Sequence, residues 1–107
     1  MTETVTATAA PTLDELATIA RVTATAADGL ETAAAWADRS LMMANGDVVA
    51  ARWVLHMDPT DDDARRQYDR AVARYDRAQA HAERARDAAT VARDAATAAS
   101  MRLAAAR

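Results

Sequence analysis

Six alanines recur every seven residues without exception in the C-terminal half of the chain: Ala71, Ala78, Ala85, Ala92, Ala99 and Ala106. A companion position holds Tyr68, Tyr75, Ala82, Ala89, Ala96 and Leu103. Spacing of three and four residues between apolar positions, sustained over several heptads, is the signature of a helix that packs along one seam. The heptads are also near-repeats in letters: YDRAVAR at 68–74 against YDRAQAH at 75–81, and RDAATVA at 86–92 against RDAATAA at 93–99. An all-alanine seam offers no large knobs, so its helix must approach a partner backbone closely. Asp69, Arg70, Asp76, Arg77, Glu83 and Arg84 fall outside the seam, as a solvated charged face does.

The N-terminal half carries a matching pattern. One seam position holds Leu13, Ala20, Ala27, Ala34, Leu41, Val48 and Leu55, and the other holds Leu16, Thr23, Leu30, Ala37, Ala44 and Ala51. Thr23 alone departs from apolar character. Thr12 with Glu15 three residues on reads as a capping box opening this helix. Asp28-Gly29 and Asn45-Gly46-Asp47 are weak points, since a helical glycine costs about 1 kcal/mol against alanine. Because the phase runs through both, the spacing predicts one continuous or kinked helix; breaks at either would give a three- or four-helix bundle instead.

Between the arms lies Met57-Asp58-Pro59-Thr60-Asp61-Asp62-Asp63. Proline cannot continue a helix but suits the first position of a new one. Asp58 therefore reads as its N-cap, with Asp61 to Asp63 near the positive end of the helix dipole. Arms over 12–57 and 59–106 make an all-α antiparallel hairpin, a single domain over 12–107. At about 1.5 Å per residue each arm spans on the order of 70 Å. Residues 1–11, Thr/Ala-rich and without periodicity, read as a disordered tail.

About 30% of the chain is alanine and Phe is absent. Alanine favours helix but buries little area, so a lone hairpin of this composition is marginal. Self-association into a dimeric four-helix bundle is the expected remedy. Absence of Cys excludes disulfides and thiolate chemistry. Absence of Lys, with Ala and Asp in excess, fits the codon usage of a high-GC genome. No apolar run reaches the roughly 18 residues of a membrane span, and residues 1–11 lack the basic and leucine-rich regions of a secretory signal. The expected location is cytoplasmic.

The net charge of −3 is unevenly divided. Residues 1–63 hold eleven acidic residues and three arginines, a balance of −8, whereas 64–107 hold five and ten, a balance of +5. Attraction between the arms accounts for this division. A basic arm also raises nucleic acid as a partner, through Arg70, Arg74, Arg77 and Arg84. Interleaved aspartates and an overall pI near 5.2 oppose it.

No catalytic arrangement is present: His56 and His81 stand far apart along a hairpin, and no Ser-His-Asp or Glu-x-x-His pattern occurs. The acidic corner lacks calcium-loop spacing, and a helix N-terminus explains it without a metal. No cofactor is expected. Leu41, Met42, Val49, Trp53, Tyr68, Tyr75, Ala85 and Ala92 are the candidate interface residues, combining the largest side chains with the alanine seam. In length, lack of Cys and hairpin pattern the chain resembles the WxG helical hairpins exported by actinobacterial secretion systems. That resemblance implies a secreted hairpin. Its signatures are absent, because Trp53-Val54-Leu55 has no glycine and Val72 and Gln79 stand four residues after Tyr68 and Tyr75. The expectation is a non-catalytic structural or adaptor protein that associates with itself, as a dimer, or with another protein. A dimeric nucleic-acid-binding regulator is the alternative, with no membrane partner expected.

Overall fold

The computed structural model describes residues 9–107. Most of the tail expected over 1–11 thus lies outside the described residues. Within them are two elements, α1 (Leu13–Met57) and α2 (Asp62–Ala106), each of 45 residues, packed antiparallel. The Cα atoms extend 79 Å along the long axis and 14 Å along the shortest. The shape is elongated, as the arm lengths require.

α1 begins where its capping box says it should. Thr12 Oγ1 accepts from the Glu15 N–H at 3.1 Å, and Glu15 reaches back to the Thr12 N–H at 3.4 Å. The helix then runs unbroken through Gly29 and Gly46, neither of which adopts a positive φ. Two isolated glycines cost less than the packing of an uninterrupted seam returns. Thr23, the polar residue in that seam, donates its hydroxyl to the carbonyls of Ile19 (2.8 Å) and Ala20 (3.1 Å). Its demand is met inside the helix, so it enters the interface with no unsatisfied polar atom.

The corner differs from the sequence reading. Pro59 is not the first residue of α2, and Asp58 is not its cap. Asp58, Pro59, Thr60 and Asp61 form a turn closed by the Asp61 N–H donating to the Asp58 carbonyl at 3.1 Å. Asp58 Oδ1 accepts from the Thr60 N–H and hydroxyl at 3.3 and 2.9 Å. The cap is Asp61, whose Oδ1 accepts from the N–H groups of Asp63 (2.9 Å) and Ala64 (3.3 Å). The reason is that proline's fixed φ suits the second position of a turn as well as the first position of a helix. Two antiparallel helices need residues between them to reverse direction, and Asp61 still leaves Asp62 and Asp63 in the first turn.

The two seams meet as the heptads require. Among the described residues ten are buried: Leu16, Ala27, Ala34, Ala37, Ala64, Ala71, Ala82, Ala89, Ala96 and Ala99. Nine are alanine, and no large side chain is fully buried. Leu41, Val48, Leu55, Tyr68 and Tyr75 are half-buried where the seam carries its bulk, toward the corner. Leu13 is exposed because α2 ends before reaching its level. The chain's accessible area, 8110 Å², exceeds the roughly 5,800 Å² of a compact protein of this mass. The hairpin is helically complete and poorly buried.

Candidate protein-interaction surface

The two flanks of the hairpin are chemically different. On one, three ion-paired residue pairs among the described residues join the helices. Arg86 Nε lies 3.3 Å from Asp38 Oδ1, while Arg93 Nη2 lies 2.6 Å from Asp28 Oδ1 and 2.5 Å from Glu31 Oε1. Ala34 and Ala89 line a groove on this flank, and Ala51 and Ala71 line another on the opposite one. The charge division of the sequence is thus expressed, through two of the ten α2-half arginines. Arg93 holds the Glu31 carboxylate below the usual carboxylate range, chiefly by its hydrogen bonds and to a lesser extent by its charge, against burial and the neighbouring Asp28 charge.

The opposite flank has no ion pair between the helices among the described residues. Here α1 presents a second heptad series: Ile19, Val22, Ala26, Gly29, Ala33, Trp36, Ser40, Met43, Asp47, Ala50, Val54 and Met57. At 100° per residue this series lies roughly 110° around the helix from the α2 seam. Its large members are exposed, Trp36 by 61%, Met43 by 70%, Val54 by 53% and Met57 by 77%. The Arg39 guanidinium stacks over the Trp36 ring at 4.8 Å, a cation–π contact. α1 therefore has two apolar faces, and α2 covers only one.

α2 shows the reverse character on that flank. Arg70, Arg77 and Arg84 repeat every seven residues, with Arg74 and His81 between them. Arg70 and Arg74 line one groove with Asp47, Ala50 and Val54, which places the arginine row beside the apolar stripe. None of Arg70, Arg74, Arg77 and Arg84 forms an ion pair among the described residues. Toward the open end the row is replaced by Ala88, Val91, Ala95 and Ala98.

The candidate interface residues divide. Leu41, Tyr68, Tyr75, Ala85 and Ala92 are half-buried on the α1–α2 seam, and so hold the hairpin together. Met42, Val49 and Trp53 face outward, with the Trp53 and His56 rings edge to face at 5.8 Å. Sequence reasoning sets Trp36, Met43, Val54 and Met57 off the seam, as oligomer core or docking patch, but does not align them into the outer stripe of α1. Its signal was present, since the stripe keeps the same three-and-four spacing in a second phase. No group of three or more His, Cys, Asp or Glu side chains able to hold a metal ion lies together among the described residues. Nor is any described helix long and apolar enough to cross a membrane. The fold and surface define a class, a long alanine-seamed helical hairpin with an uncovered apolar stripe on its first helix. No family model, curated protein or solved structure matches the chain.

Proposed function

We infer that this is a non-catalytic structural or adaptor protein, working in the cytoplasm, whose activity is helix-mediated association with itself or another protein. The observation that carries this reading is the outer stripe of α1. A helix already packed along one seam has no folding need for a second, and contiguous exposed apolar surface marks interaction sites. Tryptophan and arginine together, as at Trp36 and Arg39, are the residue types most enriched where interfaces concentrate their energy.

The experiment is size fractionation, by sedimentation, of extracts from cells expressing the chain at low level, beside a Met43→Glu/Val54→Glu variant. Association through the outer face puts the parent chain in a species heavier than one chain and the variant at the single-chain position. Both at the single-chain position would overturn the reading.

The unpaired arginine row favours a second reading, a dimeric regulator that binds nucleic acid through Arg70, Arg74, Arg77 and Arg84. Asp69, Asp76 and Glu83 stand one residue before three of these arginines and oppose phosphate. A retardation assay in low salt decides it, because phosphate binding is strongest there. Absence of a shift removes this alternative.

A further inference from the structure

We propose that the outer stripe of α1 is covered by a second copy of this chain, its α1 running antiparallel, with Trp36 of each copy packed on Ser40 of the other. This rests on the reading of that face as an association surface, and names its occupant. The stripe is complementary to itself. Turned end for end about a two-fold axis between Trp36 and Ser40, its twelve positions pair without remainder. Ile19 meets Met57, Val22 meets Val54, Ala26 meets Ala50, Gly29 meets Asp47, Ala33 meets Met43 and Trp36 meets Ser40. In the three central layers a large or charged side chain faces a small one, as interdigitating helices require.

The polar members set the register. Asp47 is the one charged residue in the stripe, and it falls opposite Gly29, where an added Cβ would meet nothing within 4 Å. Arg70 and Arg74, which share a groove with Asp47, stand ready to balance its charge. Slipping by one heptad puts Asp47 against Val22 and strands Val54 and Met57. Slipping the other way puts it against Trp36 and strands Ile19 and Val22. A parallel pair would set Asp47 on Asp47 and Trp36 on Trp36. A lone polar seam residue is a known device for choosing among such registers. The antiparallel arrangement also directs the Arg70, Arg74 and Arg77 row of each copy toward the alanine-rich open end of the other, away from its counterpart.

The area suits a dimer. The six large residues of the stripe expose on the order of 700 Å² per chain, beside the roughly 800 Å² per partner of a standard interface. The assembly is a four-helix arrangement joined through its two α1 helices.

Cysteine pairing tests it, since the chain has no Cys of its own. In Ala33→Cys/Met43→Cys the two thiols are ten residues apart on one helix, about 15 Å, so they cannot bridge within a chain. Across the proposed interface they adjoin. Mild oxidation of the purified full-length variant should give a covalent dimer on a denaturing gel, and each single variant should stay without a cross-link under the same conditions. A second pair, Ala26→Cys/Ala50→Cys, should behave likewise, guarding against local distortion at Met43. No cross-link from either pair, or cross-links formed equally well by the single variants, would overturn the proposal. A heavy species in cell extracts with no cross-link would refute the second copy as occupant while leaving the association surface standing.

Discussion

Arg93 grips Glu31 across the hairpin with two nitrogens, Nε on Oε2 at 3.1 Å and Nη2 on Oε1 at 2.5 Å, while the same Nη2 reaches Asp28 at 2.6 Å. The turn at Asp58–Asp61 ties the helices at one end, and toward the open end a seam made mainly of methyl groups offers little else that is specific. The clamp ties residues 62 positions apart, and with Arg86–Asp38 it acts as a register pin more than as a source of stability. Exposed ion pairs are screened by salt and contribute little.

The pH dependence follows in sign. Glu31 has a folded-state value depressed below its ordinary 4.5, so it favours the folded state above that ordinary value. Its contribution fades as pH falls through the depressed range. Thermal melts at neutral pH and at successively lower pH should show Glu31→Gln losing less stability than the parent on acidification. Equal losses would mean that the Arg93–Glu31 pair is absent in solution.

Ala82 is wholly buried, with 0% exposure, and Ala85 is half-buried beside it. Ala82→Leu forces the backbones apart and should cost about 1–3 kcal/mol, as overpacking does. Ala85→Leu extends partly into solvent and should cost less. Denaturant unfolding that ranks the two the other way would contradict the seam geometry.

Gly29 and Gly46 sit in mid-helix with open space around a prospective Cβ. Gly46→Ala should therefore stabilise by about 0.5–1 kcal/mol, since nothing but glycine's backbone freedom is lost. A destabilised Gly46→Ala would show that a neighbour occupies that space.

Asp61, not Asp58, holds the first turn of α2. Asp61→Ala should cost about 1 kcal/mol through two lost acceptor bonds. Asp58→Ala loses bonds only to Thr60 and should cost less by chemical denaturation. The opposite order would restore Asp58 as the cap.

The hairpin was legible because its seam is repetitive: six alanines at a fixed spacing leave one face to bury, and the Thr12–Glu15 box marks where α1 starts. The corner was legible in kind but displaced by three residues, because Pro59 has two equally good uses and only the closing turn chooses between them. The large residues of the outer face of α1 were legible singly but not as one face, for a physical reason. Gly29, Ser40 and Asp47 interrupt its hydrophobicity, and Trp36 and Met43 appear as strays until the helix aligns them. Candidate interface residues chosen for size, such as Tyr68 and Tyr75, were drawn into the internal seam, whose alanines leave room for them near the corner.

The most direct test of the uncovered face of α1 is the molar mass in solution by light scattering, for the parent chain and for Trp36→Glu. Mass rather than elution position is needed, because an elongated molecule with a radius of gyration of 23.8 Å elutes early. Twice the chain mass is expected for the parent, and the mass of one chain, with helicity retained, for Trp36→Glu. A parent chain at single-chain mass, or a Trp36→Glu variant that keeps the doubled mass, would contradict this.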